Sequence, residues 1–350
     1  MRRSVIVRRC IFALFGILAV NAGWFLHDVP LVQEKKPASS VQVSNTPVSA
    51  VTDPISSRLS NSTTVQATPG ITFHSNAMIQ SSSYELTSGL RPGRGVTIPA
   101  ASSVRELPVT DVTFYNWRGE LLSGWLALQK PQAPVIILSH GTPGNRVGML
   151  SRAAFLYKHG YNILLFDFQS YGKSQGVMST LGMVESEDIL AAISYIHGLP
   201  DMIYSKVGVV GLSMGATAAV LAAARSKDIV ALVAESCPVD ATLVASDVPS
   251  QASRQADQEL IEQVYGVDVT KARPIDVIGK LAGRTALFLI NGDNDGTTPL
   301  DGMQSLYQAA GQPKQELVAA GAGHAQSFDD DTSSYISHVD AFFDEYLLKA

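Results

Sequence analysis

The stretch Val209-Val-Gly-Leu-Ser213-Met-Gly-Ala216 decides how this chain is read. The apolar run Val207–Val210 leads into it and an alanine-rich helical pattern leads out. Gly-x-Ser-x-Gly at a strand-to-helix junction requires a tight turn whose central residue sits in a strained backbone conformation. Glycines at 211 and 215 offer no Cβ to collide with neighbouring elements. Ser213 Oγ then stands above the sheet, at the start of the following helix. The helix dipole and free N–H groups there favour a developing oxyanion. A glycine-rich turn with an incidental serine has the same five letters, so the context and the partner residues must decide.

Outward from this turn, short apolar runs recur at Val135–Leu138, Ile163–Phe166, Ile229–Ala234, Ala286–Ile290 and Glu316–Val318. Continuous apolar character over four to six residues suits strands buried on both faces, hence a parallel sheet. Helical patterns separate the runs. Ile189, Ile193 and Ile196 share one face, and Ile336, Val339, Phe343 and Leu347 stripe the last helix. Ahead of them, residues from Asp111 and from Leu121 flank Trp117-Arg-Gly-Glu120, which reads as an antiparallel hairpin with Gly119 at its turn. The expectation is an α/β domain over 106–350 with a mostly parallel sheet and helices on both faces. Residues 240–284 form the one long irregular interval. Leu260, Ile261, Val264 and Tyr265 lie on one side of a helical piece, which predicts a small cap over the C-terminal edge of the sheet. An ordinary long crossover is the alternative.

A serine hydroxyl needs a base. Of seven histidines, His27 and His74 precede the domain. His159 and His197 fall at helix ends and are each followed by glycine, and His338 lies inside the last helix. His324 sits in Ala319-Ala-Gly-Ala-Gly-His324-Ala, a glycine-flanked loop between the last strand and the last helix, where it can reach a serine above the sheet. A carboxylate must fix the tautomer of that base. Gly292-Asp293-Asn-Asp295-Gly-Thr-Thr-Pro299 offers two, and spacing alone does not choose between them.

Together these segments resemble an α/β-hydrolase of the serine hydrolase type over roughly residues 106–350. The resemblance rests on Gly211-Leu-Ser213-Met-Gly215, Ser139-His140-Gly141, Asp167-Phe-Gln-Ser-Tyr-Gly172-Lys-Ser174, the 292–299 loop and Gly321-Ala-Gly-His324. It implies the α/β-hydrolase fold. It also implies that the acid is the aspartate four residues before proline, which selects Asp295 over Asp293. The backbone N–H groups of Thr142 and Met214 would form the oxyanion hole, and no cofactor or metal is required. His140 and Asp167 are expected to be structural. The chain departs from the family's Asp-x-Arg-Gly-x-Gly-x-Ser stretch, with Gln169 in the place of the usual arginine and Ser170 in that of glycine.

The N-terminus reads differently. Arg2, Arg3, Arg8 and Arg9 precede the apolar run Cys10–Val20 and then Asn21–Leu26, a pattern of an export signal, cleaved after Ala22, or of an uncleaved membrane anchor over 1–26. Either places the domain outside the cytoplasmic membrane, periplasmic if the cell has a second membrane. Residues 27–105 read as a flexible tether. Within it, 38–70 is rich in Ser and Thr, lacks aromatics and carries only Asp53 and Arg58 as charges. Net charge is −5, and more negative once the four leading arginines are set aside, which argues against nucleic acid as a partner. Two cysteines, Cys10 and Cys237, make neither a disulfide framework nor a zinc motif.

The expected activity is hydrolysis of a small-molecule or lipid-like carboxylic ester or thioester, through Ser213, His324 and Asp295 and an acyl-enzyme. A serine peptidase of the same fold is the first rival, since His140-Gly-Thr-Pro-Gly144 resembles the oxyanion loop of some aminopeptidases. A non-catalytic envelope interaction domain is the second.

Overall fold

A computed structural model of the protein describes residues 97–349, apart from 201, 203, 204 and 245–250. The N-terminal segment 1–26 and nearly all of the proposed tether lie outside the described residues. Among the described residues, no helix is long and apolar enough to cross a membrane.

Eight strands form one sheet: β1 Thr110–Tyr115, β2 Leu121–Ala127, β3 Val135–Ser139, β4 Asn162–Phe166, β5 Val207–Leu212, β6 Ile229–Glu235, β7 Ala286–Gly292 and β8 Lys314–Ala319. The order is β1-β2-β4-β3-β5-β6-β7-β8. Strands β1 and β2 pair antiparallel, as do β2 and β4, and all later pairs are parallel. Gly119, at φ +76°, turns the leading hairpin. Every apolar run read from the sequence is a strand, extended by one or two residues at most of its ends.

The helices are α1 Leu150–Lys158, α2 Met183–His197, α3 Met214–Ala223, α4 Ala241–Val244, α5 Gln251–Tyr265, α6 Pro274–Val277, α7 Leu300–Ala309, α8 Ser327–Asp330 and α9 Thr332–Phe343. Alternation along each central strand feeds two cores. Val135, Ile137, Leu287 and Leu289 point to the face covered by α2, α3 and α7. Ile136, Leu138, Phe288 and Ile290 point to the face covered by α1 and α9, where Phe155, Tyr335, Phe342 and Phe343 are buried. Burial on both faces is what makes the runs continuous rather than alternating.

The interval 240–284 divides in two. Its first part, with Ile261 and Tyr265 of α5, builds a separate small core with Met178 and Val184, residues of the loop after β4 and of α2. Its last part joins the body: Ile278 and Leu281 lie in the main core with α3 and α7. The predicted cap therefore ends near α6, and the rest is crossover.

Candidate active site

The turn after β5 takes the strained form its sequence predicts. Ser213 has φ 55° and ψ −116°. Its N–H donates to Glu235 O at 2.9 Å, and its carbonyl accepts from the N–H groups of Ala216 and Thr217, which starts α3. A Cβ at position 215 would lie 2.2 Å from Ser139 O, and one at 211 would lie 2.6 Å from Gly215 O. No side chain fits there, so the helix can approach β3 only through glycine.

The loops after β7 and β8 bring the partners. His324 Nε2 lies 2.9 Å from Ser213 Oγ. On its other edge, His324 Nδ1 lies 2.9 Å from Asp295 Oδ2 and 3.1 Å from Oδ1. A carboxylate only accepts, so Nδ1 carries the proton and Nε2 is left free to receive one from the serine. Burial pushes the Asp295 carboxyl up. Hydrogen bonds from His324 and Thr298 outweigh it and bring its pKa down to about 2. The Thr298 N–H and hydroxyl donate to it at 2.8 and 2.7 Å, and the Thr297 N–H at 2.9 Å. Asp293 is exposed and instead accepts from Gly321 N–H at 2.6 Å, bracing the His324 loop. The geometry thus brings Ser213, His324 and Asp295 together and leaves Asp293 in the loop.

Thr142 lies where β3 ends. A Cβ on its neighbour Gly141 would sit 3.1 Å from Leu212 O and 3.3 Å from Ser213 Cβ, so this loop runs directly against the serine turn. Met214 is the first residue of α3. His140 is buried, its Nδ1–H donating to Gly141 O at 2.8 Å and its Nε2 accepting from Phe168 N–H at 3.2 Å. Burial lowers its pKa, consistent with a neutral ring whose two nitrogens are both engaged. Asp167 accepts from the N–H groups of Arg146 and Lys173, each at 2.9 Å, and pairs with the buried Arg146 guanidinium. Both residues hold structure, as expected.

Several supporting groups carried no sequence signal of their own. Glu235 ends β6 as a buried carboxylate, gripped by Arg152 Nη2 at 2.8 Å and Nε at 3.0 Å and by Tyr335 OH at 3.0 Å. Arg152 also donates to Ala325 O at 3.3 Å, and Ser236 Oγ accepts Ala325 N–H at 3.1 Å. The residue after the histidine is thereby held from two sides.

Gln169, where the pattern has arginine, docks the cap. Its Oε1 accepts the Tyr265 hydroxyl of α5 at 2.8 Å, and its Nε2 donates to Met178 O at 2.7 Å and Glu185 Oε1 at 3.2 Å. Ser170 takes φ 66°, the left-handed conformation that suits the usual glycine. A cleft of about 140 Å³ opens beside Thr298, lined by Cys237, Val239, Leu243 and Pro299 among others. Among the described residues, no group of His, Cys, Asp and Glu is arranged to hold a metal ion.

Comparison with known proteins gives the following. Residues 95–274 match the family described as X-Pro dipeptidyl-peptidase (S15 family), and residues 252–350 match one described as TAP-like protein. An uncharacterised Mycobacterium tuberculosis protein is 27% identical over 230 residues, 65% of this chain and 76% of its own length. The thiohydrolase aneE of Aspergillus aculeatus is 28% identical over 168 residues, 46% of this chain and 52% of its own. Among solved structures, the Pyrococcus furiosus esterase Pf2001 superposes with a TM-score of 0.60 at 24% identity, covering 73% of this chain and 99% of that one. The acylaminoacyl peptidase of Pyrococcus horikoshii gives 0.55 at 19% identity, covering 71% and 43%.

Proposed function

We propose that this chain, which belongs to the α/β-hydrolase superfamily and, through residues 95–274, to the X-Pro dipeptidyl-peptidase (S15) family, is a serine hydrolase of carboxylic esters or thioesters. The observation that carries the proposal is the relay Ser213 Oγ–His324 Nε2 at 2.9 Å and His324 Nδ1–Asp295 Oδ2 at 2.9 Å.

In this mechanism Ser213 attacks the acyl carbonyl while His324 Nε2 takes its proton. Asp295, held ionised, supports the imidazolium that forms. The N–H groups of Thr142 and Met214 receive the oxyanion, aided by the dipole of α3. His324 then returns the proton to the leaving alcohol or thiol. Water, deprotonated by the same nitrogen, attacks the acyl-enzyme and releases the acid, which regenerates Ser213. A thiohydrolase among the relatives and esterases among the structural neighbours support an ester or thioester substrate.

The family match and the acylaminoacyl peptidase neighbour favour peptide hydrolysis as the second reading. Parallel turnover of p-nitrophenyl acyl esters and aminoacyl p-nitroanilides, by wild type and Ser213→Ala, separates the two. The expected result is ester turnover that Ser213→Ala abolishes. Faster anilide turnover would install the peptidase reading, and ester turnover surviving in Ser213→Ala would remove both. The basic and apolar N-terminal segment supports action outside the cytoplasmic membrane. Alkaline phosphatase fused after Ala350 should be active, and an inactive fusion contradicts export.

A further inference from the structure

We infer that Tyr171 is a positioning residue of this site: its phenol ties together Thr142 and Met214, the two residues whose backbone N–H groups receive the oxyanion, and so sets the spacing of those donors. The inference rests on the Ser213 reading above.

Thr142 and Met214 belong to different loops, one after β3 and one after β5. The separation of their N–H groups is therefore fixed by what packs between the loops. Tyr171 OH donates to Met214 Sδ at 3.2 Å and hydrogen-bonds the Thr142 side chain. Its ring is fully buried and meets the His140 ring edge-on, with centroids 5.0 Å apart. His140 in turn holds Gly141 O. Because the peptide is planar, a carbonyl taken on one side aims the Thr142 N–H to the other. Ser179 Oγ lies 3.4 Å from the Met214 thioether on a second side, and its single hydroxyl proton goes to Glu185 Oε1 at 3.1 Å. Burial raises the phenol's pKa, so it remains a donor across the pH range in which an imidazole works as base.

Tyr171 aims the donors and does not touch the reacting atoms. Its loss should therefore cost less than the roughly 10²–10³-fold of deleting an oxyanion donor, about tenfold in kcat. The test uses the full chain as wild type, Tyr171→Phe, Thr142→Val and the double variant. A fluorophosphonate counts reactive sites, p-nitrophenyl ester turnover gives kcat per site and KM, and phenylboronic acid, which forms a tetrahedral adduct on serine, reports the oxyanion pocket. The expected result is an unchanged site count, KM within about twofold, and kcat and boronate affinity each about tenfold lower. The double variant should be no worse than either single variant, as expected for one shared interaction. Wild-type kcat per site and boronate affinity in Tyr171→Phe overturn the inference, even if its melting temperature falls, since that is what a merely structural tyrosine would give. If Tyr171→Phe does not fold, Thr142→Val decides by the same criterion. A wild type that takes no fluorophosphonate overturns the Ser213 reading and this inference together. A labelled wild type with unaffected variants overturns this one alone.

Discussion

The serine turn and the cap are held in opposite ways. At the turn after β5, position is fixed by backbone against backbone: Gly215 against Ser139, Gly141 against Leu212, and the Ser213 N–H on the Glu235 carbonyl. These contacts follow from residue types that only one local geometry accepts. The cap is held by side chains. Tyr265 reaches Gln169. Arg118 donates to the carbonyls of Tyr265 and Val264 at 2.9 and 3.4 Å and lies over the Tyr265 ring at 4.7 Å. The lesson is that the serine turn is specified by local residue types and backbone contacts, whereas the cap is specified by side-chain pairs between segments far apart in sequence.

The comparison breaks first at the turn. Ser213→Ala and His324→Ala should each lower ester kcat on the order of 10⁴-fold with the fold intact, because the members act as a unit. A variant retaining a tenth of the wild-type rate would contradict this. At the next level, Asp295→Asn should cost about 10³-fold or more, since an amide can hold His324 in the wrong tautomer. Asp293→Asn should cost only a few-fold, by loosening the Gly321 contact. Kinetics that rank the two the other way would transfer the acid role to Asp293.

The cap should respond differently. Tyr265→Phe removes the hydroxyl from Gln169 and leaves that buried acceptor unpaired, at a cost of about 1–3 kcal/mol. Amide exchange should quicken in residues 255–265 and stay unchanged in β5 and α3, with a larger effect on KM than on kcat. Equal loss of protection in both regions would mean that cap and body unfold as one unit.

The smallest effect concerns acid. The Asp295 carboxyl is held at about 2 in the fold, below its ordinary 3.8, so the folded protein releases this proton more readily than the unfolded chain. The stabilisation is complete above about pH 4 and disappears as pH falls through about 2. The urea-midpoint advantage of wild type over Asp295→Asn should be flat above that window and shrink within it. An advantage that grows with acid would reverse the sign.

What was legible in the sequence follows the same division. The strands were readable because burial on both faces keeps their runs apolar. Among them β8 extends beyond its apolar run at both ends, Lys314–Ala319 against Glu316–Val318, because an edge strand carries polar residues. Ser213 and His324 were marked by glycines, and Asp295 was singled out over Asp293 by Pro299. The Glu235 clamp was invisible, since Arg152 and Tyr335 lie 83 and 100 residues from it in sequence. The same holds for Gln169, whose departure from the family pattern was noticed but whose partner, Tyr265, is 96 residues away. The amphipathic face of α5 was legible. Its docking place was not, because side-chain pairs across a fold leave no local pattern.

The most direct measurement of the central claim is covalent. The full chain treated with a fluorophosphonate and analysed by intact mass and peptide mapping should gain one adduct, on the peptide containing Ser213. His324→Ala should slow that reaction on the order of 10³-fold or more, since the unassisted hydroxyl is a weak nucleophile. Labelling at another residue, or equal rates in wild type and His324→Ala, would contradict the account.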